Sequence, residues 1–120
     1  MQALFDSNIL IDYLNGFQQA AVEISRYNRK CISIVTWVEV MAGTDATDED
    51  DTRLELLRYT CLPLTSAIAE CAFRLRRDGR FKLPDALILA TAQTEGLLLV
   101  TRNSRDFSPA DPQIRIPYTI

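Results

Sequence analysis

The sequence predicts an α/β fold in which helices cover both faces of a central, mainly parallel sheet. Short apolar segments typical of strands alternate along the 120 residues with segments whose apolar side chains recur at helical spacing. The strand segments are apolar throughout, as expected for strands that are buried on both faces. The chain carries no repeat, low-complexity tract or linker, so we expect a single domain spanning residues 1–120.

Five strands are predicted from short apolar runs that end at polar or turn residues. The first run stops at Asp6, the second is rich in β-branched side chains, and the fourth is continuously apolar. In chain order they are residues 3–5, 31–35, 62–64, 97–100 and 114–116.

Six helices are predicted between these strands. Gly16, Gly43, Gly79 and Gly96 lie where four of them should end, and Pro84 stands at the start of the last, which is apolar almost all round. In chain order they are residues 8–15, 18–29, 36–42, 50–58, 66–77 and 84–94.

The composition excludes several classes of enzyme. The chain has no histidine, so it lacks the usual general base, the Ser-His-Asp and Cys-His sets, and the two-histidine metalloprotease motif. Cys31, Cys61 and Cys71 are odd in number and scattered, which favours free thiols over a disulfide or a zinc site. With neither a signal peptide nor an apolar run of membrane-spanning length, the expectation is a cytoplasmic protein without membrane contact.

Several polar side chains are predicted to meet at one edge of the sheet. Asp6 follows the first strand, Glu39 lies in the first turn after the second, and Asn103 and Asp106 follow the fourth. Because the ends of parallel strands share one edge, these side chains should lie close together. Asp85, at the start of the last helix, joins them if that helix begins at the same edge.

Each acid also has a purely structural explanation. Asp6 is placed to cap the following helix, Thr36 and Glu39 have the spacing of a capping box, and Asp85 lies where an acid offsets a helix macrodipole. The set as a whole is harder to explain by capping, because acids among apolar neighbours are rare unless paired or metal-bound. A divalent cation would remove their mutual repulsion, and an all-oxygen site suits Mg²⁺ or Mn²⁺.

Four segments, in this order, resemble the motif blocks of PIN-domain ribonucleases, and most nearly those of the VapC-type toxins of bacterial toxin–antitoxin pairs. They are LFDSNILIDYLNG, ISIVTWVEVMAG, LPDALILATA and LLLVTRNSRDF. The resemblance covers almost the whole chain. It implies a three-layer α/β/α sandwich, a single PIN-like nuclease domain, Mg²⁺ or Mn²⁺ as cofactor, and endonucleolytic hydrolysis of RNA phosphodiester bonds.

The resemblance also implies roles for individual residues. Asp6 and Asp85 would bind the metal, Glu39 would be a further catalytic acid, and Asn103 would occupy a fourth catalytic position that often holds aspartate in the family. Asp106, three residues on, could supply that acid instead. The implied partners are a cognate antitoxin, a second copy in a homodimer, and an RNA substrate such as transfer RNA.

Five cations are candidates for contact with RNA phosphates. Arg77, Arg80 and Lys82 belong to residues 74–82, which carry five bases and one acid in a chain of net charge −3. Arg102 and Arg105 lie beside the predicted pocket. The alternative explanation for the basic segment is a solvated helix end, where cations favour the negative pole of the helix.

Two other functions remain open from the sequence. A nuclease fold that has lost catalysis and serves as a binding module is allowed by Asn103, which lacks the charge of an aspartate. A phosphotransfer receiver also has an acidic pocket at its sheet edge, but it would need paired acids after the first strand, where this chain has Ser7 and Asn8.

Overall fold

The computed structural model describes residues 1–120 and contains five strands and six helices. The strands are β1 (Gln2–Phe5), β2 (Arg29–Ser33), β3 (Thr60–Leu62), β4 (Leu98–Val100) and β5 (Ile114–Arg115). The helices are α1 (Ser7–Leu14), α2 (Gln18–Ser25), α3 (Ile34–Ala42), α4 (Glu49–Leu56), α5 (Ser66–Gly79) and α6 (Leu83–Glu95).

The strands form one sheet in the order β3-β2-β1-β4-β5, and every neighbouring pair is parallel. The central strand β1 pairs Leu4 with Cys31 of β2 on one side and with Leu99 of β4 on the other. Since the strands all run the same way, β1, β2 and β4 end at one edge of the sheet. The predicted parallel sheet is confirmed.

Successive strand residues point to opposite faces and build two separate cores. Phe5 packs on the side of α1 to α4, where its ring meets Tyr27 and Tyr59 edge-on with centroids 5.5 and 6.1 Å apart. Leu4 packs on the other side against α6, in a cluster that includes Ile88. The sheet is therefore covered by helices on both faces, which confirms the three-layer α/β/α architecture.

The predicted boundaries near β2 and β3 were wrong by two residues. Residues 34 and 35 are β-branched, which favours a strand, but the side chain of Ser33 accepts a hydrogen bond of 3.0 Å from the Val35 amide and starts α3 there. A cap and tertiary packing outweigh strand propensity at this point. Strand β3 likewise ends at Leu62, before Pro63, which has no amide to donate to a neighbouring strand.

The second helix is also shorter than its predicted span of 18–29. It ends at Ser25, and Arg29 instead opens β2 opposite Gln2. None of the six helices combines the length and the apolar character that crossing a membrane requires.

Candidate active site at the carboxyl edge of the sheet

Asp6 is the buried centre of the candidate site. Its backbone amide donates to the carbonyl of Val100 at 2.9 Å, which continues the pairing of β1 with β4 and fixes the side chain at the sheet edge. Its carboxylate accepts hydrogen bonds of 2.8 Å from the Ser7 amide and the Thr101 hydroxyl, and of 3.2 Å from the Asn8 side chain. Burial raises the pKa of Asp6, and these hydrogen bonds only partly counteract it.

Glu39 approaches Asp6 from α3. Its carboxylate oxygen Oε1 accepts a hydrogen bond of 2.9 Å from the Ser7 hydroxyl, which also lies 3.4 Å from Asp6 Oδ1. Although Glu39 is exposed as a residue, the packing around its carboxylate raises its pKa, and the charge of Asp6 raises it further. Ser7 therefore links two acids that repel each other.

Asp85 brings a third carboxylate to the same edge. It lies in the first turn of α6 and is half-buried. Partial burial, together with the charges of Asp6 and Asp106, raises the pKa of Asp85 to about 6, and the nearby Lys82 only partly counteracts this. The condition left open from the sequence, that this helix begins at the edge where β1 ends, is met.

Asn103 and Asp106 occupy different places in this arrangement. The Asn103 side chain donates to Asp106 Oδ2 at 2.9 Å and accepts the Asp106 amide at 3.2 Å. This hydrogen bonding lowers the pKa of Asp106, and the charges of Lys82 and Arg105 lower it further. Asp106 thus lies as an ionised carboxylate beside Asp85, and Asn103 holds it there.

The roles at helix starts predicted for the acids are confirmed for Asp6 and Asp85 but not for Glu39. Asp6 is indeed the N-cap of α1, and Asp85 lies in the first turn of α6, so both roles coincide with membership of the acidic group. Glu39 belongs to no capping box and lies in the second turn of α3, because the N-cap of that helix is Ser33. Thr36 lies inside α3, and its buried hydroxyl makes no hydrogen bond.

Three supporting residues were missed in the sequence. Ser7 bridges Asp6 and Glu39, and Asn8 bonds both Asp6 and the backbone amide of Arg102, the latter at 3.0 Å. Thr101 is fully buried and accepts from the Asn8 side chain at 3.2 Å as well as donating to Asp6. Their position could have indicated this role, since each of the three lies within a few residues of the end of β1 or β4.

Arg102 has a partner within the chain. Its guanidinium forms a two-point ion pair of 2.7 and 3.0 Å with the carboxylate of Asp12, which is buried, and Tyr118 donates to the same carboxylate at 2.8 Å. This pairing competes with the predicted contact to RNA phosphate. Arg105, by contrast, is exposed and belongs to none of the ion pairs.

The other candidate cations lie in the last turn of α5 and on the turn between α5 and α6. Arg77 pairs with its neighbour Asp78 at 2.8 Å on the surface. Arg80 follows α5 with a left-handed backbone, and Lys82 is the N-cap of α6, three residues before Asp85. Of these, Lys82 is close enough to the acids for its charge to affect the pKa of Asp85.

The donors at this edge fit a hard divalent cation. They are carboxylate oxygens without a sulfur or imidazole among them, and the raised pKa values of Asp6, Glu39 and Asp85 reflect negative charges that burial and proximity make unfavourable. No three Asp, Glu or Cys side chains already form a group that could hold a metal ion. Closing such a group would require the side chains to turn toward the ion.

Comparison with known proteins identifies relatives over nearly the full length. The profile of the PIN domain family matches residues 3–111. Ribonuclease VapC10 of Mycobacterium tuberculosis is 31% identical over 125 residues, which cover 98% of this chain and 93% of the relative.

Solved structures agree with this. A toxin–antitoxin complex from Klebsiella pneumoniae contains a chain that is 42% identical, with a TM-score of 0.93 and coverage of 98% of this chain and 99% of that one. FitAcB from Neisseria gonorrhoeae superposes with a TM-score of 0.79 over 100% of both chains at 20% identity, a likeness of fold.

Proposed function

The chain belongs to the PIN-domain family, and from this premise we propose that it is a metal-dependent endoribonuclease of the VapC type, acting as the toxin of a toxin–antitoxin pair. The proposal rests on one observation above all. Asp6, Glu39 and Asp85 crowd together at the carboxyl edge of a parallel sheet, and none of them forms an ion pair with a cation of the chain. We further propose that residues 1–120 make up one nuclease domain.

Asp6 and Asp85 would bind Mg²⁺ or Mn²⁺. When bound, such an ion supplies positive charge that polarises the phosphodiester and makes a water easier to deprotonate. Thr101, Asn8 and Ser7 hold the Asp6 carboxylate in place, so that little reorientation remains when substrate arrives.

Glu39 would act on the attacking water. Its Oε1 is held by the Ser7 hydroxyl, which leaves Oε2 to orient the water and to accept its proton. The raised pKa of Glu39 makes it a stronger base than an ordinary glutamate. The water oxygen then bonds to phosphorus while the bond to the leaving ribose oxygen breaks, and that oxygen takes up a proton from solvent. Asp106, held by Asn103, would complete the negative wall of the pocket.

The RNA would lie across the rim of the pocket. Arg105, Arg77, Arg80 and Lys82 remain candidates for phosphate contact, and Arg102 is a weaker one because Asp12 already engages its guanidinium. Transfer RNA is the substrate suggested by the family resemblance.

We also propose a cognate antitoxin as partner, a homodimer in solution, and action in the cytoplasm. The Klebsiella pneumoniae relative, whose structure is that of a toxin–antitoxin complex, supports the first of these. Family membership excludes the alternative of a phosphotransfer receiver. The catalytically inactive binding module is addressed by the experiment below, and Asp106 beside Asp85 favours activity because it returns the charge that Asn103 lacks.

The test is RNA cleavage by the purified chain with Mg²⁺ or Mn²⁺, compared with the same reaction in EDTA. We expect cleavage only with the metal, and its loss in Asp6→Ala and Asp85→Ala. Asp50→Ala is the matched control, because it removes the same charge from the exposed first turn of α4. Circular dichroism would verify that each variant is folded. Wild-type activity in either site variant, or equal cleavage in EDTA, would refute the proposal.

A further inference from the structure

Arg80 has an unusual backbone for its residue type. It is the C-cap of α5, and its φ of 61° and ψ of 28° make it the only residue other than glycine with positive φ. A side chain in this left-handed region is crowded against its own backbone, and for that reason glycine is the usual residue at such a position. An arginine adopts this conformation at a local energetic cost.

Gly79, the residue before it, is packed closely against the same turn. A Cβ on Gly79 would lie 3.0 Å from two ring atoms of Phe81, tighter than most side-chain contacts, so the ring would have to shift to accept any other residue there. Phe81 in turn stacks on Phe107 with ring centroids 5.8 Å apart, and Arg76 donates to the Phe81 carbonyl at 3.1 Å.

These contacts fix the turn beside the candidate site. Phe107 directly follows Asp106, so the stacking of Phe81 on Phe107 joins the turn to the loop that carries this acid. From Arg80, the chain continues through Lys82 into the first turn of α6 and reaches Asp85 five residues later. Arg80 thus belongs to the turn that leads into the first turn of α6, and this turn packs through Phe81 on the loop that carries Asp106.

The charge of Arg80 is not used by the fold. Nearby arginines on α5 have acidic partners, Arg74 with Glu70 at 3.4 Å and Arg77 with Asp78 at 2.8 Å. Arg80 is exposed and takes part in none of the chain's ion pairs. The conformation of Arg80 therefore carries an energetic cost that no ion pair within the chain offsets.

We propose that the left-handed turn presents the Arg80 guanidinium to a phosphate of the RNA backbone next to the one that is cleaved. This inference rests on the proposed ribonuclease function and assigns one of its candidate cations to a particular phosphate. A guanidinium suits the role because two of its N–H groups can bond two oxygens of one phosphate. The strain at residue 80 is then explained by substrate binding.

The proposal predicts opposite effects on stability and binding. Arg80→Gly should raise Tm by about 3 °C, because it relieves the left-handed strain. The same change should raise KM for a single-stranded RNA by about three- to tenfold at low salt with little change in kcat, and should reduce the slope of log KM against log salt concentration by about one. A purely structural role of Arg80 would not raise KM while leaving kcat nearly unchanged.

Two variants complete the experiment, which is done on the full chain with Mn²⁺. Arg80→Lys keeps the charge and should keep most of the salt dependence. Arg29→Gln removes the same charge at the opposite edge of the sheet, where β2 begins, and should leave KM unchanged.

The outcomes separate the inference from the function on which it rests. Wild-type KM in Arg80→Gly, with cleavage intact, would overturn the role of Arg80 and leave the ribonuclease standing. A lower Tm in Arg80→Gly would show that the turn is not strained, and would also overturn the inference. If the wild type cleaves no RNA, both fall together.

Discussion

The acids whose carboxylates are wholly or partly shielded from solvent fall into two groups with opposite kinds of partner. Asp12 and Glu23 are each met by an arginine in a two-point ion pair and by a tyrosine hydroxyl, Arg102 with Tyr118 and Arg115 with Tyr27. At the carboxyl edge of the sheet, Asp6 accepts from hydroxyl and amide groups and Glu39 accepts from the Ser7 hydroxyl. Neither these two acids nor Asp85 forms an ion pair with an arginine or lysine.

The difference in pKa follows the difference in partners. Burial would raise the pKa of Glu23, but its bonds to Arg115 and Tyr27 and the positive charge of Arg115 outweigh burial and lower it. The pKa of Asp85 instead rises to about 6, because burial acts together with the charges of other acids. The fold thus supplies an arginine partner to the buried acids Asp12 and Glu23. Acids left without a cation therefore indicate a place for one from outside the chain.

The largest expected effect comes from breaking a paired acid. Arg115→Met should lower the free energy of unfolding at neutral pH by about 3 kcal/mol, because it leaves the Glu23 charge buried without its main partner. Arg26→Met is the control, since Arg26 lies 3.8 Å from the same carboxylate but is half-exposed, and it should cost less than about 1 kcal/mol. Urea denaturation measures both.

The pH dependence of this effect has a definite sign. The pKa of Glu23 is lowered in the folded state, so the stability it contributes is present above the ordinary glutamate pKa and is lost as the pH falls below it. The gap between wild type and Arg115→Met should therefore narrow in acid. A gap that stays constant down to about pH 3 would show that the ion pair is not its source.

The next effect concerns the support of Asp6. Thr101→Val keeps the shape of the side chain but removes the hydroxyl that donates to Asp6 at 2.8 Å, and should weaken metal-dependent cleavage by about 10- to 100-fold. Thr91→Val is the matched control, because that buried hydroxyl donates only to the Leu87 carbonyl within α6. Equal cleavage rates in the two variants, measured over a range of Mn²⁺ concentrations, would argue against a positioning role for Thr101.

The smallest expected effect is a gain in stability, in contrast to the loss expected for Arg115→Met. In EDTA at neutral pH, Asp85→Asn should raise the free energy of unfolding by about 1 kcal/mol, because a partly buried carboxylate is relieved of its repulsion from Asp6 and Asp106. Asp50→Asn, in the exposed first turn of α4, should instead lower stability slightly, since it removes an acid from the positive end of a helix.

The gain from Asp85→Asn should also depend on pH in the direction that its pKa sets. An acid whose pKa is raised in the folded state carries a penalty above that pKa, and the penalty fades as the pH falls through about 6 toward the ordinary aspartate value. Thermal unfolding over this range measures it. A destabilised Asp85→Asn variant in EDTA would mean that Asp85 is a structural acid like Glu23.

The sequence predicted the elements better than their ends. Continuous apolar runs were sufficient to predict β1 and β4, because an interior strand that is buried on both faces consists mainly of apolar residues. The start of α3 was misplaced because Ile34 and Val35 have strand propensity, while the Ser33 cap that overrides it depends on local geometry. The proline at residue 63 indicates that β3 ends before it, but the apolar run of residues 62–64 favoured a strand that continues through it.

The site was predicted through position along the chain, and its supports were not. Asp6 and Glu39 could be placed at one edge because parallel strands put their ends together, whereas Asp85 joined them only on the condition that its helix begins at that edge. The pairing of Asp12 with Arg102 joins residues 90 positions apart, and nothing in the spacing of either indicates it. For the same reason Arg102 looked free for phosphate from the sequence, although the fold gives it a partner.

Binding of Mn²⁺ to the metal-free chain at neutral pH tests the central claim most directly, with the free ion followed by electron paramagnetic resonance. We predict binding by the wild type and by Asp50→Asn, with affinity at least about tenfold weaker in folded Asp6→Asn and Asp85→Asn. Equal affinity in all four proteins, or no binding by the folded wild type, would contradict the claim that the acids without an arginine partner form a metal site.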